Sequence, residues 1–106
     1  MKKNNELNQY FFRLEILEMD VDKEDTIKNC FEVLKKDKIT IDLLVNNAGI
    51  VSDNIYQDPT QIENEEMLQV FQTNVGGVLS VTNILFPLFN EKKKTIVINM
   101  SSISAR

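Results

Sequence analysis

The sequence of 106 residues contains no histidine and only one cysteine, Cys30. Without histidine a Ser-His-Asp triad is excluded, and a zinc site would have to be built from carboxylates alone, which is rare. With one cysteine no disulfide can form within the chain, which fits a reducing compartment. Cys30 lies on the apolar stripe of a predicted helix, so we expect it to be a buried core residue.

The sequence also lacks an excess of basic charge and a long apolar run. Its 12 basic and 16 acidic residues give a net charge of −4, which argues against a nucleic-acid partner because phosphate binding needs clustered lysine and arginine. The one basic run, Lys92–Lys94, is predicted to be a solvated turn. The longest apolar stretch, near Leu79–Phe89, is too short to span a bilayer, and no secretory signal follows the N-terminal lysines. We therefore expect a cytoplasmic protein with no membrane partner.

Apolar residues make up 42% of the chain, an ordinary share for a globular protein. The apolar pattern predicts three strands. Alternation over Phe12–Met19 predicts a half-exposed edge strand, whereas Ile41–Val45 and Thr95–Asn99 are apolar without alternation and predict strands that are buried on both faces.

Two helices are predicted between these strands. The first is capped by Asp22 and carries apolar residues at helical spacing. The second begins at a cap residue, Asn64, and extends to Phe89, with Pro87 expected to kink or end it. The order strand, helix, strand, helix, strand predicts an α/β fold with a parallel sheet covered by helices on both faces.

Asn74 is a polar residue on the apolar stripe of the long predicted helix, one turn from Phe71 and Val78. A buried amide without partners costs about 1–3 kcal/mol, so this side chain must find hydrogen bonds. It could bond a backbone carbonyl in a distorted turn, since Gly76 and Gly77 weaken the helix. It could equally belong to a functional site, and the residues alone leave both interpretations open.

Small and polar residues follow both buried strands, where a doubly wound sheet binds its ligand. Asn46-Asn47-Ala48-Gly49 would let a flat ligand lie against the backbone, and Gly49 permits a positive φ, although an ordinary turn is the alternative. In Ser101-Ser102 at most one hydroxyl faces the crevice, since consecutive strand residues point in opposite directions. Either serine could instead cap a following helix.

Four motifs, in this order and spacing, resemble the middle of a short-chain dehydrogenase/reductase. They are Asp20-Val21, Asn46-Asn47-Ala48-Gly49, Phe71-Gln72-Thr73-Asn74-Val75-Gly76-Gly77 and Ile96-Val97-Ile98-Asn99-Met100-Ser101-Ser102. The resemblance runs from Phe12 to Arg106 and is nearest to the carbonyl-reductase branch that includes the Sniffer and C-factor-like proteins. It implies a partial Rossmann-type doubly wound parallel sheet, whose strands match the third, fourth and fifth of the family. Residues 1–106 would then be a fragment of a single NAD(P)-binding domain.

The resemblance also implies roles for individual residues. Ser102 would hydrogen-bond the carbonyl or alcohol oxygen of a small-molecule substrate, and Asn74 would hold a water in a proton relay. The cofactor would be NAD or NADP, with NADP favoured. The residues implied in its binding are Asp20 and Val21 at the adenine, and the backbone of Asn46, Ala48 and Gly49 at the ribose.

The sequence departs from the family pattern at two places. Gly49, Gly76 and Gly77 do not form the glycine-rich phosphate turn. Neither Tyr10 nor Tyr56 has a lysine four residues on, so the Tyr-x-x-x-Lys pair is not found in the chain. We therefore expect an NAD(P)-dependent oxidoreductase, reducing carbonyls or oxidising alcohols, that is present as an incomplete and inactive chain.

Two alternatives to this function stay open. One is a non-catalytic module that associates with a full-length homologue through the Asn64–Phe89 helix, which the resemblance also makes a candidate surface for a homo-oligomer. The other is an extended sugar-nucleotide epimerase or dehydratase, although that branch usually lacks the Asn-Asn-Ala-Gly motif.

Overall fold

The computed structural model describes residues 14–51 and 63–101. The elements in these ranges are helix α1 (Glu24–Lys36), strand β1 (Leu43–Asn46), helix α2 (Asn64–Phe71), a π-helical segment (Gln72–Gly76), helix α3 (Gly77–Leu85), a 3₁₀ turn (Phe86–Leu88) and strand β2 (Ile96–Asn99). β1 and β2 pair in parallel, with Leu43 opposite Ile96 and Asn46 opposite Asn99. The predicted α/β class with a parallel sheet is confirmed.

The strand predicted over Phe12–Met19 is not formed in its described part. Residues 14–20 lie outside the sheet, which in the described part of the chain consists of β1 and β2; residues 12 and 13 fall outside the described ranges. Leu14 and Ile16 are 61% and 86% exposed, whereas Met19 packs against the core. The prediction failed because an alternating pattern becomes a strand only when a neighbouring edge supplies the hydrogen bonds.

The hydrophobic core lies between α1, α3 and one face of β1. Ile27 of α1 is fully buried and packs with Val81 and Leu85 of α3. Leu44 of β1 packs against the same cluster. Cys30 is buried, as predicted, and its thiol donates to the backbone oxygen of Glu18 over 3.2 Å.

The prediction that both strands are buried on both faces is wrong for the described chain. Leu44 faces the core, whereas Leu43 and Val45 are 54% and 46% exposed. Their partners across the sheet, Ile96 and Ile98, are also exposed. The reason is that α1 and α3 pack on the same side as Leu44, so among the described elements the opposite, apolar face has no cover.

Neither helix has its N-cap at the predicted residue: the N-cap of the first helix lies one residue later, and that of the second lies one residue earlier. The N-cap of α1 is Lys23 and not Asp22, and the N-cap of α2 is Glu63, so that Asn64 is the first helical residue. Neither N-cap makes a side-chain capping bond. Asp22 does not cap because its carboxylate is hydrogen-bonded to Thr73, far along the chain.

The long helix predicted over Asn64–Phe89 is a continuous helical run in which the type of helix changes along the chain. It passes from α2 through the π segment into α3, and Pro87 lies in the 3₁₀ turn that ends the run at Leu88. The terminating role of Pro87 is therefore confirmed. Within residues 14–51 and 63–101, no helix has the length and apolar character needed to cross a membrane.

Candidate functional site

An open cleft of about 780 Å³ lies where β1 and β2 end. Its lining residues are Asn46, Asn47, Ala48, Gly49, Ile50, Val51, Asn74, Val78, Met100 and Ser101. The cleft therefore brings together three of the residues expected at the cofactor and the asparagine expected in the proton relay. Ser102, the predicted catalytic serine, lies outside the described residues, and its neighbour Ser101 lines the cleft.

Asn74 lies in the π segment and binds the loop that follows β1. The backbone N–H of Ile50 donates to Asn74 Oδ1 over 2.8 Å, and Asn74 Nδ2 donates to the carbonyl oxygen of Ile50 over 2.9 Å. Asn74 is exposed and not buried as expected, because it faces the open cleft instead of the core. The side chain does bond to backbone in a distorted turn, which was one of the two open interpretations.

Gly49 leaves space for this amide. A Cβ at Gly49 would lie 3.3 Å from Asn74 Oδ1. No glycine in the described ranges has a positive φ, so the left-handed conformation that the sequence allowed at Gly49 is not used. A small residue is needed here for close approach and not for backbone conformation.

The side chain of Asn46 is turned into the molecule, where it is 9% exposed. Its Nδ2 donates to Asn99 Oδ1 over 2.9 Å and to Thr82 Oγ1 over 3.3 Å, so one amide ties β1 to β2 and to α3. The carbonyl oxygen of Asn46 accepts from the N–H of Met100 over 3.0 Å. Sequence reasoning missed Asn99 and Thr82, although an asparagine at the same position of two paired strands was a usable signal for a side-chain pair.

Asp20 and Val21 form a turn that several hydrogen bonds hold in place. The N–H groups of Asp22 and Lys23 donate to Asp20 Oδ1 and to the Asp20 carbonyl oxygen, both over 2.9 Å. Thr26 Oγ1 accepts from the N–H of Asp20 over 2.9 Å. These hydrogen bonds fix the turn to the start of α1.

A second, smaller groove of about 330 Å³ adjoins the cleft and includes Val21 of this turn in its lining. Val21 lines the groove and not the cleft, and Asp20 lines neither of them. The groove and the cleft share four lining residues: Asn46, Asn47, Ala48 and Val78. An extended ligand could therefore reach from Val21, past the end of β1, to the cleft beside Asn74.

The chemistry of these walls fits a dinucleotide better than a metal ion. The groove is lined mainly by apolar side chains, and the cleft combines three asparagines, Ser101 and small residues with apolar side chains. In the described part of the chain no group of three or more His, Cys, Asp or Glu residues could hold a metal ion. The residues that could hold an NAD(P) cofactor here are Val21 at one end and Ala48 and Gly49 in the middle.

Comparison with known proteins identifies the family. The model of the short chain dehydrogenase family matches residues 2–106. The 3-oxoacyl-acyl-carrier-protein reductase FabG of Haemophilus influenzae is 31% identical over 87 residues, which cover 82% of this chain and 35% of the relative. The NADP-dependent 3-hydroxy acid dehydrogenase of Schizosaccharomyces pombe is 30% identical over 92 residues, which cover 85% and 34%. The chain thus spans about a third of the length of these curated relatives.

Among solved structures, the carbonyl reductase Sniffer of D. melanogaster has a similar fold. The TM-score is 0.77 at 25% sequence identity, over 96% of this chain and 46% of that chain. The enoyl-acyl-carrier-protein reductase (NADH) of Aquifex aeolicus matches with a TM-score of 0.75 at 19% identity, over 92% and 39%, and supports the fold alone. The motifs, the parallel sheet and the family match over residues 2–106 agree, and the chain belongs to the short-chain dehydrogenase/reductase family.

Proposed function

We propose that this chain forms part of the single NAD(P)-binding domain of an oxidoreductase that interconverts a small-molecule carbonyl compound and the corresponding alcohol. The names of several similar proteins support a carbonyl substrate: an oxoacyl reductase, a pterin aldehyde reductase and the carbonyl reductase Sniffer. Two similar proteins are named as NADP- or NADPH-dependent, which favours NADP over NAD.

The observation that carries the proposal is the continuity of the groove and the cleft at the end of β1. They share Asn46, Asn47, Ala48 and Val78, with Val21 in the lining of the groove and Asn74 in that of the cleft. A parallel α/β sheet binds ligands at the carboxyl ends of its strands, and this is that end of β1 and β2. In the proposed arrangement adenine lies at Asp20 and Val21, and ribose lies against the backbone of Asn46, Ala48 and Gly49.

Asn74 is proposed to hold a water molecule next to the reacting group. An amide oxygen accepts two hydrogen bonds and an amide nitrogen donates two. The N–H of Ile50 occupies one acceptor position of the Asn74 amide oxygen, at 2.8 Å, and the carbonyl of Ile50 occupies one donor position of the amide nitrogen, at 2.9 Å. The remaining positions are available to water because Asn74 is exposed to the cleft. A fixed water of this kind would pass a proton toward the alcohol oxygen as it forms.

Ser102 is proposed to donate a hydrogen bond to the substrate oxygen. The resemblance to the family carries this role, because Ser102 is the second serine of the motif; Ser101 lines the cleft, and Ser102 lies outside the described residues. A bound nicotinamide supplies the hydride that reduces the carbonyl carbon. The serine hydroxyl would then stabilise the negative charge that develops on the substrate oxygen. Its hydrogen bond is stronger in the transition state, where this charge is present, than in the ground state.

Nucleotide binding can be tested directly on the 106-residue chain by NMR titration with NADPH and with UDP-glucose. We expect NADPH to shift the amide signals of Val21, Ala48 and Gly49, with a weak Kd because the chain contains no glycine-rich phosphate turn. Shifts produced by UDP-glucose and not by NADPH would favour the sugar-nucleotide epimerase or dehydratase alternative. The absence of shifts at these three residues with both ligands would refute the proposed site.

A second proposal concerns association through the Asn64–Phe89 helix, either with another copy of this chain or with a full-length homologue. Large apolar side chains on this helical run are exposed: Met67, Leu68, Phe71, Val75, Leu79 and Phe86. Leu68, Phe71, Val75 and Leu79 follow each other at spacings of three and four residues, so they lie along one side of the helix. Such a stripe favours packing against another helix.

Sedimentation analysis of the chain tests this association. Phe71 is 64% exposed, and we expect Phe71→Glu to shift the chain toward the monomer. Lys28→Glu, at an exposed residue of helix α1, changes charge elsewhere and serves as the control. A wild-type chain that remains monomeric, alone and with a full-length homologue, would refute the association.

A further inference from the structure

Thr73, the residue before Asn74, makes a hydrogen-bonded cluster that the proposed function does not use. It is 5% exposed, and its Oγ1 lies 2.8 and 2.7 Å from the two carboxylate oxygens of Asp22. Gln69 Nε2 donates to Asp22 Oδ2 over 3.2 Å and to Thr73 Oγ1 over 3.3 Å. The hydroxyl has one proton and donates to one oxygen at a time. The cluster therefore joins the turn before α1 to the helix that carries Asn74.

A second contact joins the same two parts of the molecule. Gly77 is four residues beyond Thr73, and a Cβ at this position would lie 2.7 Å from Val21 Cγ2 and 3.0 Å from Val21 Cβ. Real Cβ atoms do not approach so closely, so only glycine lets Val21 pack against the helix backbone here. Thr73 and Gly77 thus hold two consecutive residues of the turn, Asp22 and Val21.

The π segment also holds the other side of the proposed cofactor site, since Asn74 bonds both backbone groups of Ile50. One helical run therefore holds both the turn before α1 and the loop that follows β1. Because the Asp22 N–H donates to Asp20 Oδ1 over 2.9 Å, holding Asp22 also holds Asp20. These contacts tie the turn and Asn74 to the same helical run.

We infer that Asp22 and Thr73 are positioning residues for the adenine end of the cofactor. Their hydrogen bonds keep the Asp20–Val21 turn at a fixed separation from Asn74, so that one dinucleotide reaches both. This inference rests on the proposed function. It goes further because it assigns a role to two residues that touch neither the ligand nor the reacting atoms.

The test compares the two halves of the cofactor in NMR titrations of the chain with AMP and with nicotinamide mononucleotide. Thr73→Val removes the hydroxyl at nearly constant volume. We expect it to weaken AMP binding about fivefold, the equivalent of one hydrogen bond, and to leave the affinity for nicotinamide mononucleotide unchanged. Thr73→Ser should restore AMP binding because it restores the donor. Ser80→Ala removes a hydroxyl from α3 and is the matched control.

Asp22→Ala keeps the test decisive if Thr73→Val does not fold. Asp22 is exposed and lies before α1 begins, so this change leaves the core intact, and the same selective loss of AMP binding is expected.

The possible results separate the two claims. If the wild-type chain binds neither half of the cofactor, the proposed function fails and the positioning role fails with it. If the wild-type chain binds AMP and both variants bind it equally well, the positioning role alone is overturned. Equal weakening of both halves, or no restoration by Thr73→Ser, would mean that the cluster serves stability only and would also overturn the inference.

Discussion

The side-chain amide of Asn74 makes two hydrogen bonds with the backbone of Ile50. The pattern is that of two paired strand residues, with the amide in place of one peptide group. The amide oxygen accepts from the Ile50 N–H over 2.8 Å, and the amide nitrogen donates to the Ile50 carbonyl over 2.9 Å. Asparagine suits this pairing because its amide has the same donor and acceptor as a peptide group. The side chain of Asn74 therefore ties the loop after β1 to the helical run.

Replacing this asparagine tests the pairing. Asn74→Ala removes both bonds, and we expect the free energy of unfolding to fall by about 1–3 kcal/mol. The amide of Ile50 should also lose its protection from hydrogen exchange. Asn83→Ala, at an exposed asparagine of α3, is the control, with an expected change within about 0.5 kcal/mol. An Ile50 amide that exchanges equally slowly in Asn74→Ala would contradict the pairing.

The adjacent glycines should respond in opposite directions to the same substitution. A Cβ at Gly77 would lie 2.7 Å from Val21 Cγ2, so Gly77→Ala forces the turn away and should cost about 1–3 kcal/mol. A Cβ at Gly76 would meet Gln72 Nε2 at 3.1 Å, the far end of a flexible side chain. Gly76→Ala should therefore gain up to about 1 kcal/mol from helix propensity.

Chemical denaturation of both glycine variants measures this difference. Adding Val21→Ala to Gly77→Ala removes the nearest methyl group and should recover part of the loss. If Gly77→Ala were as stable as Gly76→Ala, the close packing of Val21 on the helix would be wrong.

The burial of Cys30 predicts a pH dependence of stability. Desolvation raises the pKa of the Cys30 thiol above its ordinary value. Below the ordinary pKa, about 8.5, the thiol is protonated in both states and its contribution is complete. As the pH rises, the unfolded chain loses the proton first, so stability falls until the pH passes the pKa of the folded state.

We therefore expect the stability advantage of the wild-type chain over Cys30→Ala to shrink between neutral and strongly alkaline pH. Denaturation of both proteins along a pH series measures this advantage. Alkylation of the thiol at neutral pH should be slow in the folded chain and fast in denaturant. An advantage that is constant across the series, or a thiol that reacts at once, would contradict the predicted effect.

The Tyr-x-x-x-Lys pair that the family resemblance implies for turnover is not found in this sequence. The chain has no Tyr-x-x-x-Lys pair, and general acid–base catalysis is typically worth about 10²–10⁴-fold. We expect no steady oxidation of NADPH by the 106-residue chain with a panel of aldehydes and diketones. Protein-dependent turnover by pure material would show that another residue serves as the acid.

The two serines differ in their expected roles once the chain is completed by a glycine-rich turn and a Tyr-x-x-x-Lys segment. Ser102→Ala should lower kcat about 10²–10³-fold with little change in cofactor Kd. Asp20→Ala should weaken cofactor binding and leave kcat nearly unchanged. Ser101→Ala is the control, and a larger loss of kcat there than at Ser102 would reverse the assignment of the two hydroxyls.

Much of the fold was determined by the sequence itself. The apolar spacing on α1, the two unbroken apolar runs that became β1 and β2, and the position of Pro87 depend on residues close together in the chain. Local periodicity and the geometry of proline fix these features. The predicted α/β class and parallel sheet followed from the order of these elements, and the motif around Asn74 pointed to the family.

Other features depend on what lies next to a segment in space. Residues 14–20 alternate as a strand does, but no described strand edge lies beside them, and they pack through Met19 instead. The sequence predicted that Leu43 and Val45 are buried, but both are exposed because α1 and α3 lie on the other face of the sheet. A pattern in the sequence reports the environment that a residue prefers, and tertiary packing decides whether that environment is present.

The contacts of the candidate site were decided by tertiary structure alone. Asn46 meets Asn99 across 53 positions of sequence, and Asp22 meets Thr73 across 51. The first pair depends on the parallel register of β1 and β2, and the second on how closely the turn approaches the π segment. Hydrogen bonds require atoms within about 3 Å and a suitable direction. Sequence supplies the polar groups, whereas only the folded backbone brings them within that distance.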